Sequence, residues 1–229
     1  MRLLMSTGLL ALAQLVLAAC SSDSLPEDAT APGPAGAEAP AFLALAERAQ
    51  NGTYKFDFRL LGPTGEEETG TFYRKAPKFR LDRSLSAEGL RSFTTIWREG
   101  ELIECETAEG GQWGCLTRSS EDPVDGLPIV VKSPEGFEIA ETAGRVVAGQ
   151  ATTCYVAVPR GEVQPPFPEE FEICFSGEGA LLFQRTRFTP PPAETGTPGP
   201  PMETAREATS YSSTVEDSDF EPPVEPARR

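Results

Sequence analysis

The sequence predicts a mainly β protein in which consecutive antiparallel strands carry one N-terminal helix packed on them. Three observations predict it. From residue 53 onward large apolar side chains recur at every second position, as Tyr54, Phe56, Phe58 and Leu60 do between Lys55, Asp57 and Arg59. That is the period of a strand with one buried face. Short runs of this kind follow one another across turn signals such as Glu99-Gly100 and Gly177-Glu178-Gly179, the second of which marks a hairpin. Only one stretch beyond the amino end has helical spacing.

That stretch is residues 40–50, PAFLALAERAQ. Pro40 suits a first helical turn and Asn51-Gly52 supplies the stop. Phe42, Leu45 and Ala49 fall on one face, so the helix packs that stripe on a sheet. After the strand beginning at residue 53, Gly62-Pro63-Thr64-Gly65 turns the chain. Residues 69–76, 78–85, 92–98, 101–106 and 112–118 continue as short strands, the last with Trp113 and Cys115 on one face. Residues 119–136 are turn-rich and receive no element. Strands resume at 137–147, 151–158, 170–176 and 180–188. The Pro/Gly-rich run TPPPAETGTPGPPM at 189–202 interrupts the pattern as a loop. Residues 204–215, rich in Thr, Ser, Ala and Tyr, are expected to add a final strand, with Phe220 tucked against the core; the alternative is an exposed tail. The domain is expected over 41–225, with a short tail at 226–229.

The amino end has a different character. Arg2 is followed by an uncharged run to Ala19 made mostly of Leu, Ala and Val, and Leu17-Ala18-Ala19-Cys20 closes it before Ser21-Ser22-Asp23. A basic start, a short apolar segment and small residues before a cleavage point make a secretory signal. The run is shorter than the roughly 20 residues needed to span a bilayer. The four closing residues resemble a bacterial lipobox, which implies a signal peptide at 1–19 and Cys20 as the lipid-modified first residue of the mature chain. Residues 20–40 hold one large apolar residue, Leu25, and no aromatic. Such a composition cannot offset the entropy lost on ordering, so this stretch is a tether with a mean reach of roughly 25 Å.

Four cysteines remain, Cys105, Cys115, Cys154 and Cys174. An even number in an exported chain reads as disulfides, and four allow three pairings. Cys105–Cys115 and Cys154–Cys174 are favoured, because each pair flanks a turn-rich stretch between two strand-like runs. A thiolate zinc site uses cysteines two to four residues apart, a spacing neither pair has.

One helix followed by antiparallel strands in an exported lipoprotein resembles the lipoprotein-carrier superfamily, which includes the LolA/LolB carriers and the LppX/LprG lipid binders. Gly70-Thr71-Phe72-Tyr73-Arg74-Lys75 through Lys78-Phe79-Arg80-Leu81-Asp82 is similar to its aromatic strand pair. Trp97-Arg98-Glu99-Gly100-Glu101-Leu102 resembles its hairpin, and Val215-Glu216-Asp217-Ser218-Asp219-Phe220 its closing segment. The resemblance implies a strongly curved antiparallel sheet, a half-barrel, with an apolar hollow between helix and sheet. Phe42, Leu45, Phe58 and Trp97 are the candidate ligand-binding residues of that hollow.

Histidine is absent, and the formal charge is −15 at pH 7. The first fact removes the commonest general base and the usual nucleophile pairs; the second disfavours phosphate backbones, so nucleic acid is not expected as a partner. No phosphate-cradling glycine loop or nucleophile elbow is present. Glu66-Glu67-Glu68 reads as a solvated hairpin tip. Asp217-x-Asp219-x-Glu221 alternates like the start of a calcium loop but lacks its glycine and distant glutamate. The expectation is therefore a non-enzymatic lipoprotein, without metal or cofactor, lipid-anchored on the extracytoplasmic side of a bacterial membrane. With the family resemblance, the expected role is to bind a lipid or other hydrophobic ligand. The alternative is an envelope protein-interaction or sensor lipoprotein with a solid core.

Overall fold

The computed structural model describes residues 40–63, 65–85, 91–107, 111–120, 126–162, 167–190 and 199–228. Cys20, the signal peptide expected at 1–19 and all of the tether expected at 20–40 except Pro40 lie outside the described residues. Helix α1 (Pro40–Asn51) comes first and buries Phe42, Leu45, Ala46 and Ala49, the expected stripe widened by one alanine. It stops at Gly52, where a Cβ would lie 2.6 Å from the Arg48 carbonyl oxygen. The strands β1 (Thr53–Leu61), β2 (Glu67–Lys75), β3 (Lys78–Leu85), β4 (Arg91–Arg98), β5 (Glu101–Thr107) and β6 (Trp113–Ser119) follow as a meander of antiparallel neighbours.

A four-residue helix α2 (Ile129–Lys132) precedes a second group: β7 (Phe137–Thr142), β8 (Val146–Val147), β9 (Gln150–Pro159), β10 (Glu170–Ser176), β11 (Leu181–Phe188) and β12 (Met202–Ala208). With a last strand β13 (Ala227–Arg228), pairing of β12 with β1 joins the two groups into one sheet of order β13-β6-β5-β4-β3-β2-β1-β12-β11-β10-β9-β7, with β8 against β9. Strand β13 pairs with β6 in parallel; the other ladders are antiparallel.

Twelve strands lie on that path, and at about 4.8 Å per strand a flat sheet would spread roughly 50 Å. One contiguous buried cluster nevertheless holds Leu102 of β5, Phe72 of β2, Phe171 of β10 and Phe137 of β7 together with the α1 stripe. The sheet must curl around the helix to bring them together. Stacked rings form the centre: Phe56 and Phe72 lie 4.9 Å apart at 8°, and Phe72 meets Phe79 at 5.4 Å. Phe42 of α1 sits edge-on to Tyr155 at 5.2 Å and to Phe175 at 5.9 Å. Each such aromatic pair adds about 0.5–1.5 kcal/mol beyond area burial. Tyr54 donates its hydroxyl to the Ala49 carbonyl at 3.1 Å and ties β1 to the helix end.

Four local outcomes differ from the sequence expectation. The stretch 137–147 is two strands, because Gly144 passes so close to β9 that a Cβ would lie 2.4 Å from the Thr152 carbonyl oxygen. The turn-rich stretch 119–136 contains α2, whose Val130 and Val131 are fully buried. The final strand ends at Ala208 rather than at 215: Phe58 faces Ala208, but Lys55 faces Ser212, so three residues of β1 oppose four of the returning chain. That extra residue is a bulge, which bends a strand and interrupts its ladder. Residues 226–229, expected as a tail, include β13.

The opposite face of the sheet carries a second, smaller cluster of Ile96, Ile103, Cys105, Cys115, Val215 and Phe220. Residues 215–221 cross it as a strap, folded by a 3-10 turn at Asp217–Phe220 whose N-terminal end is closed reciprocally by the side chains of Glu216 and Asp219. Cys105 and Cys115 belong to this cluster, whereas Cys154 and Cys174 are buried in the larger one. Cys105 stands directly opposite Cys115, and Cys154 opposite Cys174, with Cα separations of 4.1 and 4.0 Å. The favoured pairings are those present.

Candidate functional site

The helix-bearing face is built by the β1 alternation and its cross-strand partners. In register with Phe56 and Phe72 come Leu81, Thr95, Glu104 and Leu116, and in register with Phe58 and Gly70 come Arg83, Phe93, Glu106 and Gly114. Helix α1 covers the aromatic side chains of β9 and β10. The segment around Gly126, where a Cβ would lie 2.8 Å from the Phe79 ring and 3.0 Å from that of Phe72, covers β2 and β3.

The structure places the four sequence-predicted ligand residues in one contiguous cluster of this face. Phe42 is fully buried against Tyr155 and Phe175. Leu45 lies one turn further along the same stripe. Phe58 meets Phe56 edge-on at 6.3 Å on β1. Trp97 on β4 is buried with its indole Nε1 lacking a hydrogen-bond partner. Two open spaces on the same face were not anticipated from the sequence.

The first is a trough of about 480 Å³ over β3–β6, lined among others by Arg83, Phe93, Thr95, Glu104, Glu106 and Leu116. Its apolar side chains stand clear of α1; Leu116 is 41 % exposed. The Arg83 guanidinium lies 5.9 Å from the Phe93 ring and 4.0 Å from Glu68. Glu68 thus joins the rim of this face rather than a solvated hairpin tip.

The second space, about 330 Å³, lies between β1, β11 and β12 and the segment 126–128, lined among others by Leu60, Leu127, Gln184, Thr186, Thr204 and Arg206. Arg206 is a half-buried cation of this face. Its guanidinium sits 5.4 Å from the Phe72 ring, 5.8 Å from Phe56 and 5.9 Å from Phe58. It donates to Gln184 Oε1 at 3.3 Å. Burial lowers its pKa to about 10, which leaves it charged at neutral pH. Its only trace in the sequence is parity: Arg206 shares the alternation of Thr204 and Ala208 and so faces the core.

Several carboxylates of the opposite face are occupied. Asp57 accepts from Thr71 and Ser210, both at 2.7 Å, and Asp82 from Arg80 at 2.9 Å and Thr94 at 2.8 Å. Asp217 is held by Lys75 and Lys78, and Glu221 by Arg98, so this alternating trio is spread over separate cations. Among the described residues no group of three or more metal-ligating side chains gathers. No helix among them is long and apolar enough to cross a membrane.

No protein-family model and no curated protein sequence matches the chain. Solved structures do. MucB superposes with a TM-score of 0.52 at 14% identity, over 83% of this chain and 64% of that one. The Pseudomonas aeruginosa MucA/MucB complex gives 0.49 at 13% identity, over 81% and 61%. An uncharacterized conserved protein from Thermus thermophilus gives 0.47 at 13%, over 82% and 98%. The chain therefore spans less than two thirds of the length of the MucB chains it resembles. At these identities the likeness is one of fold: a mainly antiparallel, open and curved sheet with one N-terminal helix.

Proposed function

We propose that the chain is an exported lipoprotein, anchored through Cys20 on the extracytoplasmic side of a bacterial membrane, whose curved sheet binds a lipid or other hydrophobic ligand without catalysis. The observation that carries the binding reading is the trough over β3–β6: at about 480 Å³ it falls within the range of small-ligand sites, roughly 300–1,000 Å³. Phe93 and Leu116 give it apolar walls beside a polar rim of Arg83, Glu104 and Glu106. Two disulfides support an oxidising compartment, and the leader with its lipobox-like end supplies the route there. The resemblance to the lipoprotein-carrier superfamily supports the same reading, and with it the absence of a reaction.

Titrating the full chain with a fluorescent long-chain fatty acid tests the proposal. Saturable binding is expected, weakened by Leu116→Asp. Failure of any apolar probe to bind saturably would overturn it.

A second reading, an envelope protein-interaction lipoprotein, is favoured by one observation. Beneath α1 the rings of Phe42, Tyr155 and Phe175 are in contact and fully buried, a solid core where a carrier's hollow is expected. MucB, for its part, is described in complex with MucA.

A further inference from the structure

We propose that Arg206 and the pocket beside it form a binding site for one anionic group, a carboxylate or a phosphate, carried as the headgroup of an amphiphile whose apolar part lies on the same face. The lipid half of this statement rests on the function proposed above; the anion half rests on Arg206 itself.

A guanidinium on an apolar face is costly unless it is paired and hydrogen-bonded. On the opposite, more exposed face the arginines beside it meet carboxylates: Arg59 meets Glu207 at 2.9 Å, Arg185 meets Glu172 at 2.8 Å, and Arg187 meets Glu170 at 3.2 Å; Arg74, buried on the same face as Arg206, donates to the Gln50 carbonyl at 2.9 Å. Arg206 differs. In a chain with 35 acidic and 20 basic residues, no carboxylate among the described residues pairs with it. Of the five N–H donors a guanidinium carries, the neutral Gln184 oxygen takes one, at 3.3 Å. Three phenylalanine rings offer cation–π contact from the core side but accept none of the in-plane hydrogen bonds.

Those remaining donors adjoin a space of about 330 Å³ that also receives the Thr186 and Thr204 side chains. A planar guanidinium fork matches a carboxylate or phosphate two bonds at a time, and hydroxyls add further donors. Leu60 and Leu127 line the same space, which suits the first methylenes behind a headgroup. The volume is small for a whole lipid, so the rest of the ligand must lie outside it along the sheet.

The test uses the full chain and four probes: a fluorescent long-chain fatty acid, its methyl ester, dodecyl phosphate and inorganic phosphate. Binding is measured together with the NMR signal of the Arg206 Nε–H. The expected result is that both charged amphiphiles bind at least about tenfold more tightly than the ester, the effect of losing a charge-assisted hydrogen bond, and shift the Arg206 signal. Arg206→Gln should erase the difference and Arg206→Lys keep part of it; if neither variant folds, the signal of the unaltered chain still decides. Acid and ester bound equally with the Arg206 signal unmoved would overturn the anion site while the lipid reading stands. A signal shifted by inorganic phosphate, with neither acid nor ester bound, would establish the anion site and overturn its lipid source. No response to any probe would overturn both.

Discussion

Lys78 Nζ lies 2.9 Å from Asp217 Oδ1 and fastens the C-terminal strap to the face of the sheet opposite the helix. Lys75 reaches the same oxygen at 3.2 Å, and Arg80 donates to the carbonyls of Asp219 and Glu221 at 2.9 and 3.0 Å. The two ammonium groups hold the Asp217 carboxyl below its ordinary value through hydrogen bonds and charge. A pKa lowered by folding means a contribution present above the unfolded carboxylate range, near about 4, and lost as pH falls through the folded value. Amide exchange over 215–221 should accelerate relative to β3 once Asp217 protonates, and Asp217→Asn should show that acceleration at neutral pH. Because the Asp217 side chain is 68 % exposed, salt should weaken the effect. Unchanged protection of the strap in that variant would show that the pair does not hold it.

Beneath those ion pairs Phe220 is 1 % exposed, packed with Ile96, Ile103 and the Cys105–Cys115 bridge. Phe220→Ala should cost roughly 3–5 kcal/mol, as for other fully buried phenylalanines, read from urea unfolding of the full chain. A change within about 0.5 kcal/mol would mean the strap is not part of the cooperative unit.

Much of this architecture is legible in the sequence because it is local. Alternation fixes which face of β1 is buried, and Phe56, Phe58 and Phe79 lie where it puts them. Turn residues fix the hairpins, and hairpins fix the two disulfides. What the sequence conceals is long-range. Nothing near residue 58 signals that β12 will pair with β1, nor that a single extra residue before Ser212 will end that ladder and send the chain to the other face. The candidate site is less legible still. Phe42, Leu45, Phe58 and Trp97 are recognisable as core positions, but the open spaces depend on where α1 and the 126–128 segment stop covering the sheet. Arg206 reads as one more solvated cation until its partners on β1 and β2 are known.

Both disulfides join residues directly opposed on neighbouring antiparallel strands, closing loops with sequence separations of 10 and 20. Loops of that length are worth about 3 kcal/mol each in the chain-entropy account. Replacing Cys154 and Cys174 together by alanine should lower stability by that order, while replacing one alone leaves a free thiol. Non-reducing peptide mapping should recover the pairs Cys105–Cys115 and Cys154–Cys174; crossed pairs would contradict the register of β5 with β6 and of β9 with β10.

The anchor proposed at Cys20 makes a separate prediction. Cys20→Ala should accumulate as an unprocessed precursor and lose its lipid-derived mass, because stable membrane residence needs two hydrophobic signals, at about 0.8 kcal/mol per buried methylene. Normal maturation of that variant would remove the lipobox reading and leave the folded domain unaffected.

Whether the helix-bearing face holds a hydrophobic ligand is decided by native mass spectrometry of the full chain purified from membranes in mild detergent. The expected result is an added lipid mass that persists under native conditions, disappears on denaturation while any covalent anchor remains, and is depleted in Leu116→Asp. A chain that carries only its covalent mass in both conditions, and gains none when incubated with lipid extract, would contradict it.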